Sequence, residues 1–190
     1  MDKQVKSFFI FSFDVIKIVI VALAIVLPIR YFLFQPFVVK GASMEPNYHN
    51  GDYLIVDEIS YRFNEPQRGD VIVFKYPNNP ADRYIKRIIG LPGETVSITD
   101  GRISIVKEDK TLVLNESTYL SEDFLKTWSN REDLDPVTLG AGQYFVLGDN
   151  RNASSDSRVW GLLPEQNIIG RASLQFSLPG MFSAVPVSNN

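Results

Sequence analysis

Three short stretches of this 190-residue sequence gather side chains able to do nucleophilic or acid–base chemistry. The first is Gly41-Ala42-Ser43-Met44-Glu45-Pro46, where a serine follows glycine and alanine and precedes a proline-limited turn. Such a serine is either an exposed nucleophile or one of the many turn serines that only satisfy backbone groups. The second is Arg83-Tyr84-Ile85-Lys86-Arg87-Ile88-Ile89-Gly90. In a strand, Tyr84, Lys86 and Ile88 share one face, and three isoleucines make the neighbourhood apolar. A lysine turned into such surroundings is desolvated, and its pKa falls toward that of a working base. On a solvated edge strand it keeps its proton. The third stretch, residues 148–158, packs two aspartates, two arginines, two asparagines and three serines behind a hydrophobic run. It reads as an exposed polar loop or as a defined polar network beside a site.

Composition narrows the chemistry before any motif is weighed. There is no cysteine, which removes disulfides, thiol nucleophiles and cysteine–zinc sites. One histidine, His49, cannot build a histidine-rich metal site, and a serine–histidine–aspartate arrangement would have to use it. Base chemistry near neutral pH then falls to His49, a carboxylate, a tyrosine or a perturbed lysine. The net charge of -3, with no long basic run, excludes an obvious nucleic-acid surface. A hydrophobic content of 45% excludes a disordered chain.

The elements that must hold these stretches fall into two kinds. Residues 8–29, FFIFSFDVIKIVIVALAIVLPI, match the roughly 20 residues of a membrane-spanning helix. Asp14 and Lys17 interrupt the run three positions apart, where they can pair on one face or Lys17 can snorkel. The bulky residues after Arg30 offer no small-x-small cleavage site, so the segment reads as a retained anchor in a lipid bilayer. Lys3, Lys6 and Lys17 favour a cytoplasmic N-terminus, with the remainder outside the cytoplasm. Beyond the anchor come short strands at 52–59, 71–76, 84–89, 95–99, 102–106, 144–147 and 168–176, with a hairpin dipeptide at Asp100-Gly101. A short helix is expected near 124–129. The chain divides into a cytoplasmic 1–7, an anchor at 8–29, a core of 30–93 and 144–184, an insert at 94–143 and a frayed tail at 185–190.

Taken together and in order, these stretches resemble the type I signal peptidases of the bacterial serine–lysine class. Gly69-Asp70-Val71-Ile72-Val73-Phe74 and the continuation Leu91-Pro92-Gly93 add to the resemblance, which runs from the anchor through Gly170-Arg171-Ala172. It implies a mainly β fold: an antiparallel β-sheet catalytic core with a smaller β-containing insert, preceded by one N-terminal transmembrane helix. It implies an endopeptidase at the plasma membrane that removes signal peptides from exported precursors, needing no cofactor and no metal. Ser43 is then the nucleophile and Lys86 its base. Ser154 orients the amine, Asp156 and Arg158 form a supporting ion pair, and Asp149 fixes the loop.

One position departs from the family pattern. Many members carry a serine two residues before the nucleophile as an oxyanion donor, and here that residue is Gly41. The backbone N–H of Ser43 is the first donor, and a group in the Gly41 region must supply the second. The family's preference for small residues at the first and third positions before the cut implies shallow pockets, for which Phe37, Val39 and Met44 are candidates, each also readable as core. Two other readings compete. A self-cleaving repressor would need a DNA-binding module where the apolar segment stands, and an anchored binding protein would lack Ser43 or Lys86.

Overall fold

A computed structural model describes residues 3–32, 35–128, 133–177 and 181–184. The 30-residue helix α1 (Lys3–Phe32) contains the apolar run. Its described apolar side chains, among them Phe11, Phe13, Ile16, Ile18 and Leu23, are exposed instead of packed into a core. Asp14 and Lys17 lie 3.8 Å apart on it. Over the described residues, no helix is long and apolar enough to cross a membrane. The tail at 185–190 lies outside the described residues.

The rest is antiparallel sheet. One sheet has the order β1 (Gln35–Val38), β2 (Tyr53–Asp57), β11 (Ile168–Ser177), β3 (Val71–Tyr76), β4 (Asn79–Gly90), β9 (Gln143–Leu147) and β10 (Leu163–Pro164), with β12 (Met181–Ala184) also pairing β11. The second sheet has the order β7 (Lys110–Val113), β6 (Arg102–Lys107), β5 (Thr95–Thr99), β8 (Leu134–Thr138). Its central hairpin turns at Asp100 and Gly101, both at positive φ. Between β7 and β8, Ser121 caps the short helix α2 (Glu122–Lys126), accepting from the Phe124 N–H. The helix α3 (Ser157–Trp160) follows Asp156, which caps it in the same way.

Strand order decides what the sequence alone leaves open about Lys86. β4 is paired on both sides, by β3 and by β9, so it is an interior strand whose residues from Ile85 to Gly90 are all buried. A core on one side of the large sheet joins Val39, Met44, Tyr48, Leu54, Val56, Val71, Val73 and Ile85. A second core is shared between the sheets: Ile89, Phe145 and Leu147 pack with Val96, Ile98, Ile103 and Ile105.

Because that core belongs to both sheets, they are expected to unfold together. Phe145→Ala should lower stability by about 3–5 kcal/mol while leaving a single denaturant transition by circular dichroism in detergent. Two separated transitions would contradict the shared core.

Candidate active site

The register of β4 puts Lys86 opposite Ile72 of β3, with Tyr84 and Ile88 beside it on the same face. The side chain is 4% exposed. Its Nζ lies 2.8 Å from Ser43 Oγ and donates to the carbonyl of Ile85 at 2.9 Å. The Tyr84 ring centroid is 5.6 Å away. Burial lowers its pKa from 10.5 to about 8; Asp156 and Asp149 oppose that fall, and Arg158 assists it. A fraction of the amines is therefore neutral near physiological pH and able to accept a proton.

Ser43 sits in the loop that leaves β1, and apolar anchoring fixes that loop. Met44 and Tyr48 are fully buried, and the Tyr48 N–H donates to the Met44 carbonyl. The serine carbonyl accepts from the Asn150 N–H at 3.0 Å, tying Ser43 to the loop at 148–158. The Ser43 N–H donates to no group among the described residues, which leaves it available for a developing oxyanion. Gly41 adopts φ +86, a conformation that side-chain-bearing residues adopt at a cost, although a β-carbon there would meet nothing within 4 Å. Its N–H is already given to Asn50 Oδ1 at 2.9 Å, so this donor of the Gly41 region is engaged.

The loop at 148–158 is a network, not a solvated surface. Asp149 and Arg87 are fully buried and joined at 2.7 and 2.8 Å, and Asn47 donates to the same carboxylate at 2.7 Å. The guanidinium also reaches the Gly69 carbonyl at 2.9 Å. Asp156 accepts from Arg158 Nε and Nη2, both at 2.8 Å, and from the Gly148 N–H at 3.0 Å. Gly148 is held by close approach: a β-carbon there would lie 2.2 Å from Ser154 Oγ and 2.5 Å from the Ser43 carbonyl. Ser154 thus stands beside the Ser43 backbone. Its hydroxyl is buried with no hydrogen-bond partner among the described residues, and the expected bond to Lys86 is not made in this structure. The amine's contacts are Ser43 and Ile85 instead.

A cleft of about 590 Å³ opens over the pair, with Phe37, Val38, Tyr84 and Ile85 on its walls and Lys40, Asp82 and Arg83 also lining it. Of the three pocket candidates, Phe37 lines it. Val39 and Met44 do not, because both point into the core beneath and are 2% and 0% exposed. His49 lies off the cleft, exposed and 3.9 Å from Asp52. Among the described residues no group of His, Asp or Glu could hold a metal ion. Reading the sequence missed Arg87, Glu116 and Arg151, although a basic residue next to Lys86 in an apolar strand was a usable sign that a buried acid waited elsewhere.

The family described as "Signal peptidase, peptidase S26" matches residues 12–177. The chain is 39% identical over 168 residues to the probable signal peptidase I-1 of Synechocystis sp., covering 85% of this chain and 80% of that protein. It is 41% identical over 169 residues to the signal peptidase I of Leptolyngbya laminosa, covering 85% and 77%. It is 35% identical over 190 residues to the signal peptidase I of Pseudomonas aeruginosa, covering 79% and 67%.

A buried lysine brings a stability cost that can be measured. A folded pKa of about 8 against 10.5 unfolded corresponds to about 3 kcal/mol. The lowered pKa means the penalty is full below pH 8 and vanishes as pH rises from 8 past 10.5. Lys86→Met is expected to be more stable than wild type at pH 7 by on the order of 3 kcal/mol, with the gap closing over that window. Thermal unfolding at a series of pH values checks this; a variant less stable at pH 7 would refute the burial cost.

Proposed function

The chain belongs to the signal peptidase (peptidase S26) family, and from that membership we propose that it is a serine endopeptidase that removes N-terminal signal peptides from exported precursors with a Ser43–Lys86 dyad. The observation that carries the reading is the 2.8 Å contact between a serine hydroxyl and a buried lysine whose pKa is lowered to about 8. Neutral Lys86 takes the hydroxyl proton as Ser43 Oγ attacks the scissile carbonyl, and the Ser43 N–H receives the developing oxyanion. The ammonium formed then returns that proton to the leaving amine, releasing the mature chain. Water, deprotonated by the same amine, then attacks the acyl carbonyl; the ester bond to Ser43 breaks, the signal peptide leaves with a new carboxyl group, and the ammonium returns its proton to Ser43 Oγ. Asp149, Asp156 and Arg158 hold the loop against which this happens, and Ser154 orients the amine when the amine turns from Ile85.

The same reading gives the exposed apolar face of α1 its place. In water, unpacked side chains such as Phe11, Ile16 and Ile18 would be a liability; in lipid they anchor the chain. The N-terminus lies in the cytoplasm and the sheets on the extracytoplasmic side of the plasma membrane, where precursors emerge. Precursors with small residues at the first and third positions before the cut would enter the cleft between Phe37 and Tyr84, whose walls carry both apolar and charged side chains.

Cleavage of a model precursor in detergent tests the dyad. Ser43→Ala should lose at least about four orders of magnitude in kcat. Lys86→Arg should be as inactive, since a guanidinium keeps its proton; an active arginine variant would remove Lys86 as base. For the wild type, kcat/KM should rise through about pH 8 as the amine deprotonates. A profile flat from pH 6 to 10 would contradict the mechanism.

A further inference from the structure

The connection from β7 to β8 reaches out of the second sheet and meets the loop at 148–158 at several points. Glu116 accepts from both Nη1 (3.1 Å) and Nη2 of Arg151, and the Tyr119 hydroxyl donates to the same carboxylate. Both charged partners are buried, so neither can turn to water if the other is lost. The Trp128 ring lies 5.1 Å from the Arg151 guanidinium and 5.6 Å from that of Arg158. The Thr127 carbonyl accepts from Asn152 Nδ2 at 2.8 Å. The Tyr119 ring lies 4.1 Å from the Arg87 guanidinium, and its carbonyl accepts from Asn47 at 2.9 Å.

From these points the contacts run inward to the dyad. Arg151 Nε donates to the Gly148 carbonyl at 3.1 Å, and Arg158 Nη2 donates to the Arg151 carbonyl at 2.9 Å. Arg158 also grips Asp156, which holds the Gly148 N–H. Gly148 abuts Ser154 and the Ser43 carbonyl, and Asn150 bonds that carbonyl. We propose that Glu116, Tyr119 and Trp128 are positioning residues for the Ser43–Lys86 pair, the β7–β8 connection serving as a clamp that holds the loop at 148–158 in the one arrangement that keeps serine and amine in contact. The proposal rests on the dyad reading above and goes beyond it by giving the β7–β8 connection a part in positioning the pair.

The clamp has an electrostatic signature. The charged groups acting on Lys86 are Asp156 and Asp149, which favour the ammonium, and Arg158, which opposes it; Tyr84 adds its ring face. Removing the Trp128 ring takes away one wall against which Arg158 rests, and loosens its neutralisation of Asp156. The amine then keeps its proton to higher pH.

The test uses the full chain in detergent and a synthetic peptide with alanine at the first and third positions before the cut. Trp128→Leu is expected to lose on the order of tenfold to a hundredfold in kcat with KM within about twofold, and its pH–rate midpoint should move up. Trp128→Phe, which keeps an aromatic face, should restore both. Should the leucine variant not fold, Glu116→Gln is measured in its place, with the same fall in kcat expected. A folded Trp128→Leu or Glu116→Gln protein with wild-type kcat overturns the clamp. So does a loss of rate that only tracks the folded fraction and leaves the Trp128→Leu midpoint where it was. Ser43→Ala is run alongside: if it still cuts, the dyad itself is wrong and the clamp falls with it, whereas an inactive Ser43→Ala beside an unaffected Trp128→Leu sinks the clamp alone.

Discussion

The buried cations of this protein are treated in two ways. Arg87 and Arg151 each meet a carboxylate that is itself buried, Asp149 and Glu116. Lys86 is equally removed from water, yet among the described residues no carboxylate lies in ion-pair contact with it. Its nearest polar neighbours are a hydroxyl and a backbone carbonyl, which stabilise an ammonium far less than a carboxylate does. That single withheld partner makes the neutral amine accessible. It works only because the strand around it is closed on both sides and the aspartates nearby are already committed to arginines.

Seen this way, the paired charges are less a source of stability than a means of keeping acids away from the amine. Asp149 is spent on Arg87 and Asn47, and Asp156 on Arg158 and the Gly148 N–H. Buried ion pairs contribute little net stability, because desolvation consumes most of the attraction, but they fix geometry sharply. Fixed geometry is what the proposed Ser43–Lys86 dyad would need, since an error of about 1 Å between a nucleophile and its base is costly in rate.

The amount of this that can be read from the sequence depends on range. The hairpin at Asp100-Gly101 and the strands at 71–76 and 95–99 are local in origin, and they stand where β-branched and aromatic residues and turn chemistry put them. β1, β7, β8 and β10 escape notice because they are two to five residues long, and β8 even carries Pro136, tolerated on an edge strand. The burial of Lys86 is half legible: alternation and the isoleucines give its apolar face, but whether β4 is an edge or an interior strand depends on pairing with β9, some sixty positions on. The same limit hides Arg87 and Glu116, whose partners lie 62 and 35 residues away. Ser154 is a subtler case, placed beside Ser43 as its loop suggests but without the bond that its type invites. Val39 and Met44 show that hydrophobic residues flanking a nucleophile are as readily its foundation as its pocket.

The shortness of the link between α1 and the nucleophile has a consequence of its own. Phe32 ends the helix and Ser43 follows eleven positions later (43 − 32). Even fully extended, such a stretch reaches no more than about 40 Å, and part of it is held in β1. On the anchored reading proposed above, the serine would be leashed to the bilayer, and bonds displayed farther out would be beyond it however well their residues suit the cleft. That reading would give the chain a ruler as well as a blade, with depth relative to the membrane joining side-chain size in deciding which peptide bond is reached.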